Sequence, residues 1–506
     1  MLCALPSLFT NIYVASVTAG AAFIYYILIR PLFKGLRHVP GPWISKITTL
    51  HLTWYDWQLN RNEHVLEWHR QYGHIVRVSP DEVSVASLDA IRQVYGSSSR
   101  WEKSSYFDHF TGYNERSVFA TKPHDEHTRR RRLTATFYQA SSLFRRPEVE
   151  GIIHDRVHAV QNLLDRNQGI GVDVLRLTSW YATDIITHLV LGPNHCTRAI
   201  DQPGAEREIL QELKYMQLWG PIKLHIPILF RYLSCLLCSV SSRWKCLLAD
   251  DHLSDWCYSR FSSAVQDPQL QESPSLIKHL MDRQKDPRVG HLSQSYIAAE
   301  VLDNINAAEA TVAVTSTYLL WQLSQCPDWQ RRVREELLAL PMQPDGLPSF
   351  ADINRHAPTL EACLKEIYRL HPATSGRAER IVPEGGRTLC GIYLPAGTKV
   401  TSSIGAMHSD PDIFPAPDRY LPGRWLEGTE EELKEREARL IPFGHGARIC
   451  LGKALATMEI KLLVAGLVLR NASRVDSFTT PESMEQCSTH DAMPRTLQCG
   501  IRFCRL

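Results

Sequence analysis

The chain has 506 residues, 44% of them hydrophobic, which is enough for a large core in one or several domains. Its 56 lysines and arginines nearly balance its 54 aspartates and glutamates, and the net charge of +2 gives no indication of a nucleic-acid partner. The 13 cysteines are odd in number and scattered, which argues against a disulfide framework and favours a reducing compartment with mostly free thiols.

The N-terminal segment carries a long uncharged run. Leu8–Ile29 contains 22 residues without a charge, and a helix of that length spans about 33 Å at about 1.5 Å per residue, enough for a bilayer core. Three basic residues follow it: Arg30, Lys34 and Arg37. By the positive-inside rule we expect residues 1–29 to form a luminal N-terminus and a single-pass anchor in the endoplasmic reticulum membrane, with the rest facing the cytoplasm. A cleaved signal peptide is the alternative, but the run is long and no basic segment precedes it.

The rest of the chain divides into a short hinge and one large body. Residues 30–45 are basic and contain the prolines of "HVPGPW", which cannot continue a helix and predict a stiff spacer. Residues 46–506 have mostly helical periodicity, with β-like runs at Ile75–Ser87 and Arg387–Ile404. The pattern therefore predicts a mainly α body with a small β-sheet region.

Two apolar segments of the body are predicted to be helices. Leu229–Val240 is short and strongly apolar, which fits either a core helix or a surface element that dips into the bilayer. Ser295–Pro327 has about thirty helical residues before its proline, and its apolar character predicts that it crosses the core.

Paired charges mark the segment "KEIYRLHP". Glu366 and Arg369 are three residues apart and therefore lie on one helical face. Such a pair is usually a solvated surface pair, but Arg424, in the proline-rich loop downstream, could meet both. A carboxylate between two planar guanidinium groups can be buried, and such a cluster could hold the loop that follows.

A single cysteine stands in the stretch "PFGHGARICLGKAL". Cys450 lies among three glycines, an arginine and the apolar start of a helix. Three interpretations compete from these residues: a buried structural thiol, half of a disulfide, or a metal ligand.

The order of these motifs resembles the cytochrome P-450 family of haem-thiolate monooxygenases. The order is E-x-x-R, then P-x-R-[FW], then F-x-x-G-x-R-x-C-x-G, and the last pattern fixes Phe443, Gly446, Arg448, Cys450 and Gly452. The resemblance covers essentially the whole chain and is greatest to fungal membrane-bound members of secondary metabolism. It implies the cytochrome P-450 fold, preceded here by one transmembrane helix.

The resemblance implies that Cys450 is the axial thiolate ligand of the iron of haem b. Backbone N–H groups of a tight turn and the N-terminus of the following helix would then face the sulfur and favour its negative charge. Thiolate ligation pushes electron density to the iron and promotes O–O cleavage. Haem propionates need cations, and the matching residues are Arg448, Arg380, and Arg131 together with His127, which replaces the usual tryptophan.

The distal pattern departs from the family at one position. The family has [AG]-G-x-[DE]-T, and residues 307–311 are Ala-Ala-Glu-Ala-Thr, so Thr311 is present while Ala310 replaces the acid. Glu309 is one residue earlier, about 100° around the helix. Three interpretations stay open: Glu309 reaches the relay through water or a helix bulge, Thr311 works with water alone, or oxygen cleavage is not the main reaction.

The sequence supports three hypotheses about function, each of a different kind. The first is a membrane-anchored monooxygenase that inserts one atom of O₂ into a lipophilic small molecule, such as a terpenoid or polyketide intermediate of secondary metabolism. Its electrons would come from NADPH through a separate NADPH-cytochrome P-450 reductase, with cytochrome b5 as a further possible donor. The second is a haem-thiolate isomerase or dehydratase that needs no external electrons, and the third is a non-enzymatic haem protein or membrane scaffold.

Overall fold

The computed structural model describes residues 35–272, 274–374 and 377–506, together with residues 17, 18, 20 and 25. Within these residues, no helix combines the length and the apolar character needed to cross a bilayer. The predicted anchor at Leu8–Ile29 lies, apart from four positions, outside the described residues.

Helices make up most of the described body. In chain order they are α1 (Leu50–Trp57), α2 (Arg61–Tyr72), α3 (Leu88–Tyr95), α4 (His124–Tyr138), α5 (Ala140–Leu143), α6 (Pro147–Arg166), α7 (Val174–Leu191), α8 (Ala205–His225), α9 (Pro227–Val240), α10 (Ala249–Gln266), α11 (Leu276–Arg283), α12 (Gln294–Gln325), α13 (Pro327–Leu338), α14 (Phe350–His356), α15 (Pro358–Leu370), α16 (Ile404–His408), α17 (Glu430–Arg439) and α18 (Lys453–Arg470). Short 3₁₀ turns connect several of them.

The strands are short and form small sheets. They are β1 (Ile75–Ser79), β2 (Glu82–Val85), β3 (Glu102–Lys103), β4 (Thr111–Gly112), β5 (Glu115–Arg116), β6 (Gly171–Asp173), β7 (Arg380–Ile381), β8 (Arg387–Leu389), β9 (Ile392–Leu394), β10 (Lys399–Ser402), β11 (Asn471–Val475) and β12 (Gly500–Arg505). One sheet has the order β1-β2-β10-β7-β3, a second has the order β11-β12-β6, and β4-β5 and β8-β9 are two-stranded.

The long helix α12 organises the core. The side chain of Ser293 caps its N-terminus by accepting a hydrogen bond from the N–H of Tyr296, and Pro327 ends it by opening α13. Between these ends its side chains are largely buried, and α12 packs most extensively against α7. The prediction of a core-crossing helix is confirmed.

The other fold predictions have mixed outcomes. The mainly helical body with a small sheet region is confirmed, and β1, β2 and β8 to β10 fall within the two predicted β-like runs. For the segment Leu229–Val240, the core-helix alternative is wrong. Helix α9 lies on the surface, because only Phe230 and Ser234 of its side chains are buried.

Candidate active site

The cysteine loop is held in a tight turn against the end of α3. The N–H of Cys450 donates to the carbonyl of Phe443 at 2.9 Å, which closes the loop. Gly446 has a φ of 70°, and a Cβ there would lie 2.0 Å from the carbonyl oxygen of Tyr95. Only glycine fits this position, because any side chain would strain the backbone and collide with α3.

The side chain of Cys450 faces an internal space. The thiol is free and accessible, and it lines a chamber of about 390 Å³, which we call the haem chamber. Burial raises the pKa of the Cys450 thiol, while the N–H groups of Gly452 and Lys453 and the guanidinium of Arg131 lower it. Helix α18 begins at Lys453, so its positive N-terminal end faces the sulfur. The protein groups alone do not offset burial, and a bound cation at the sulfur would supply the missing charge.

Cationic side chains surround the same chamber. Lys103, Arg131, Arg380 and Arg448 line it together with His127. In the register of β3 and β7, Lys103 and Arg380 are direct cross-strand partners, a pairing of like charges that is unfavourable by itself. The guanidinium of Arg448 donates to the carbonyls of Thr121 and Lys122 at 3.0 and 2.9 Å.

These cations have no anionic partner of their own. Within the described residues, none of the four forms an ion pair, and the imidazole of His127 has no hydrogen-bond partner. Burial, together with the charge of Arg380, lowers the pKa of Arg448 to about 10 and that of Lys103 well below its usual value. Burial and Arg448 lower the pKa of His127 to about 2, so its imidazole is neutral and can donate one N–H. The side of the chamber that carries these cations therefore suits an anionic group, and the two propionates of haem fit it.

The structure shows which residue of the arginine run in α4 lines the haem chamber. Arg131 lies one helical turn after His127 and lines the haem chamber, whereas Arg129 and Arg132 are exposed. Sequence reasoning did not identify Lys103. Its neighbours in "WEKSSYF" carry no recognisable pattern, and only the pairing of β3 with β7, about 280 residues apart along the chain, brings it beside Arg380.

Helix α12 separates the two predicted distal residues. Thr311 lines the haem chamber, and its hydroxyl donates to the carbonyl of Ala307 at 2.8 Å. Glu309 does not line that chamber: it accepts a hydrogen bond from Ser179 and lies 3.9 Å from Nζ of Lys214. Residues 294–325 are α-helical throughout, so no bulge turns Glu309 toward Thr311.

The predicted cluster of Glu366 with two arginines is present. Arg424 donates to Glu366 from Nε at 3.2 Å, and Trp425 donates to the same carboxylate at 2.9 Å. All these side chains are buried or nearly so. The interpretation of Glu366 and Arg369 as a solvated surface pair is therefore wrong.

A second chamber adjoins the first. It has a volume of about 720 Å³ and lies among α8, α10, α12, the segment 106–114 and the segment 488–493. We call it the outer chamber. Glu309 and Ala310 line it from α12, and Lys214 lines it from α8. Several residues line both chambers, so the two spaces are adjacent.

Comparison with known proteins agrees with this geometry. The cytochrome P-450 family model matches residues 40–492. The chain is 37% identical over 473 residues, 92% of each chain, to cytochrome P-450 monooxygenase FGM1 of Gibberella zeae. It is 29% identical over 445 residues, 86% of each chain, to cytochrome P-450 monooxygenase orf2 of Aspergillus niger. It is 26% identical over 495 residues, 96% of this chain and 95% of the relative, to cytochrome P-450 monooxygenase aflV of Aspergillus parasiticus.

The matched span contains the cysteine loop, the Glu366 cluster and Thr311. The family implies a haem cofactor and O₂ as co-substrate. The chain therefore belongs to the cytochrome P-450 family of monooxygenases.

Proposed function

We propose that this protein inserts one oxygen atom of O₂ into a lipophilic small molecule of secondary metabolism. Haem b would lie in the haem chamber with its iron held by the Cys450 sulfur, and electrons would come from NADPH through a separate reductase. The observation that carries the proposal is one chamber that brings a free thiol together with four cations that form no ion pair within the described residues.

The residues that line the chamber have two roles in this proposal: holding the iron and binding the propionates. Bound haem would supply the iron at which O₂ is activated. Cys450 would hold that iron, with the N–H groups of Gly452 and Lys453 directed at its sulfur. Lys103, His127, Arg131, Arg380 and Arg448 would bind the propionates.

On the opposite side of the chamber, Ala307 and Ala308 leave space beside the hydroxyl of Thr311. That hydroxyl can accept a hydrogen bond from water and pass a proton on. Glu309 is held by Ser179 and lies near Lys214, so a role for it would require a chain of water between the two chambers.

The test uses the reduced carbon monoxide complex and isotope-labelled O₂. The purified protein with reductase and NADPH should show the red-shifted thiolate band and should form product that carries the label. The Cys450→Ser variant should lose both, whereas Cys504→Ser, which changes an exposed cysteine, should retain both. Label-free product from the wild type would reject the proposal.

An isomerase or dehydratase is the second candidate, because Ala310 replaces the acid and Glu309 does not line the haem chamber. Such an enzyme would turn over its substrate without a reductase. Strict dependence on NADPH would decide for the monooxygenase.

We also propose that the body rests on the endoplasmic reticulum membrane through one apolar surface. Helices α1 and α9 expose Leu50, Trp54, Trp57, Ile228, Tyr232 and Leu236. His225, at the end of α8 just before α9, lies 2.9 Å from Asp56 of α1, so the two helices are neighbours. An exposed patch of this kind is typical of contact with lipid.

Brominated lipids provide a test of this surface. In nanodiscs that hold the full chain, they should quench tryptophan fluorescence. The quenching should fall in the Trp54→Phe/Trp57→Phe variant and stay unchanged in the control Trp329→Phe on α13. Equal quenching in all three proteins would contradict the proposed orientation.

The proposed electron donor is an acidic flavoprotein reductase, with cytochrome b5 as a possible second donor. Arg129 and Arg132 project from α4, the helix that carries His127 and Arg131. Reversing both charges should raise the KM for reductase several-fold, because complementary charges speed association. Reduction by dithionite should not change, and Arg474→Glu on β11 is the control. An unchanged KM would exclude this face as the docking site.

A further inference from the structure

The boundary between the two chambers is polar. Six residues line both chambers, and we call this set the junction: Phe110, Asp303, Asn306, Arg377, His490 and Asp491. Five of the six are polar or charged. A substrate that extends from the outer chamber toward Cys450 must therefore lie beside these groups.

The cations that line the outer chamber are already paired. Each lies within ion-pair distance of a carboxylate: Arg377 with Asp56, Arg61 with Glu82, Lys214 with Glu309, and Lys223 with Asp250. Their charges are therefore largely neutralised within the protein, and they offer little attraction to an anionic substrate.

Two carboxylates at the junction have no such partner. Within the described residues, neither Asp303 nor Asp491 forms an ion pair. Asp303 accepts a hydrogen bond from Ser117, and Asp491 accepts one from the amide of Gln217 at 2.5 Å. Asp491 is only 6% exposed. The side-chain amide of Asn306 also has no hydrogen-bond partner within the described residues, so its oxygen is a further acceptor.

Burying unpaired carboxylates is unfavourable. Burial raises the pKa of Asp303 to about 6 and raises the pKa of Asp491. A cation brought to the junction would relieve this cost, whereas an anion would add to it. Lys103 is the basic group that acts electrostatically on Asp303, but it donates to the carbonyl of Phe119 instead.

Two aromatic rings, those of Phe110 and His490, line both chambers together with the carboxylates. The ring centroid of Phe110 lies 5.0 Å from that of Phe119 and 4.8 Å from that of His490. The rings of Phe107 and Phe119 already hold Nζ of Lys103, at 4.3 and 4.7 Å from their centroids, so Phe110 and His490 are the rings left to meet a ligand at the junction. Aromatic faces attract cations and also pack against apolar groups. The junction therefore combines negative charge with aromatic surface.

We infer that the substrate carries a positively charged nitrogen, held at the junction by Asp303 and Asp491, with its apolar part directed toward Cys450. This inference rests on the proposed function, because it assigns the haem chamber to the cofactor and to the reacting end of the substrate. It narrows the substrate class from any lipophilic molecule to an amphipathic amine.

Three probes of matched shape test the inference on the full-length holoprotein. They are benzyltrimethylammonium, its neutral carbon isostere neopentylbenzene, and phenylacetate. The quaternary nitrogen has no lone pair and cannot bind iron, so its effect reports the junction alone. Binding is followed by the haem spectrum and, independently, by equilibrium dialysis. The cation should bind about tenfold more tightly than the isostere, and phenylacetate should bind most weakly.

Variants assign the effect to residues. Asp303→Asn and Asp491→Asn should each weaken binding of the cation about tenfold and leave the neutral probe within about twofold. Asp251→Asn, at the exposed rim of the outer chamber, is the matched control and should change neither. Equal affinity of the wild type for all three probes, or a preference for phenylacetate, would overturn the inference without any variant.

The outcomes also separate the inference from the proposed function. If the thiolate band is normal but the protein shows no preference for the cation, only the inference of an amine substrate is rejected. Loss of the thiolate band in the wild type rejects the proposed function, while dialysis still measures the preference of the junction.

Discussion

The guanidinium of Arg369 donates two hydrogen bonds to the carboxylate of Glu366, from Nη2 to Oε1 at 2.8 Å and from Nε to Oε2 at 3.0 Å. The same carboxylate accepts bonds from the N–H of Leu421, from Arg424 and from Trp425. Arg369 in turn donates to the carbonyls of His408, Pro417 and Arg419. One buried ion pair thus fixes the path of the chain from residue 408 to residue 425, which leads toward the cysteine loop.

We expect Glu366→Gln to destabilise the protein strongly. It leaves two buried guanidinium groups without their carboxylate, which costs about 3–5 kcal/mol. Denaturant unfolding of the holoprotein and its haem content provide the measurements. Lys365→Gln, at the neighbouring partly exposed pair with Glu437, should cost about 1 kcal/mol or less. Equal effects of the two substitutions would show that the cluster does not stabilise the fold.

Haem retention should depend on the cations of the chamber. Arg131→Gln and Lys103→Gln each remove one charged donor, and we expect haem to dissociate about tenfold faster, since such bonds contribute about 1.5–3 kcal/mol. Transfer of haem to an acceptor protein gives the rate. Arg132→Gln changes the next residue of α4, which is exposed, and should leave the rate unaltered. A slower or unchanged loss from the Lys103 variant would contradict its proposed role.

Thr311 and Glu309 should differ in their effect on coupling. Removing the hydroxyl in Thr311→Ala should divert electrons from NADPH to hydrogen peroxide and lower the yield of product about tenfold or more. Thr311→Ser keeps the hydroxyl and should stay close to the wild type. Glu309→Gln should change the yield by about twofold or less, because Glu309 lines the outer chamber. Peroxide release from Glu309→Gln as large as that from Thr311→Ala would place Glu309 in the relay.

Cation binding at the junction should weaken in acid. Asp303 attracts a cation only when it is deprotonated, and its pKa is raised to about 6 by burial. The affinity for benzyltrimethylammonium, whose charge is fixed, should therefore fall as the pH decreases through about 6. Dialysis of the holoprotein at a series of pH values measures this.

Variants distinguish the titration of Asp303 from that of the other titratable groups near the junction. Ser117 and Lys103 lower the pKa of Asp303, which in turn raises the pKa of Glu300 and Tyr138. His490 and Gln217 lower the pKa of Asp491, which in turn raises the pKa of Glu309. Burial raises the pKa of Glu300 to about 8. The dependence of this affinity on pH should disappear in Asp303→Asn and persist in Glu300→Gln and His490→Gln. A profile unchanged in Asp303→Asn would assign the titration to another group.

Motifs whose residues lie close together in the chain could be identified from the sequence alone. Five positions from Phe443 to Gly452 serve one tight turn, so their identities and intervals are set by backbone geometry and can be recognised in the sequence. Helix α12 was predictable for a similar reason, since its apolar residues and the proline after it are local signals. The contact of Arg424 with Glu366 was predictable from chemistry, because a buried carboxylate needs buried donors.

The remaining features depend on which distant segments meet. Lys103 reaches the haem chamber because β3 pairs with β7, and no residue near it in sequence indicates this. The direction of Glu309 follows from the position of α7 and α8, which supply Ser179 and Lys214. The excess negative charge at the junction depends on the ion pairs that the cations of the outer chamber form with carboxylates, and the sequence does not show these pairs. The sequence by itself determined the family, the cysteine loop and the helical body, since these are set by local spacing. The tertiary structure alone decided which charges are paired and which line the junction without a partner, because pairing depends on long-range packing.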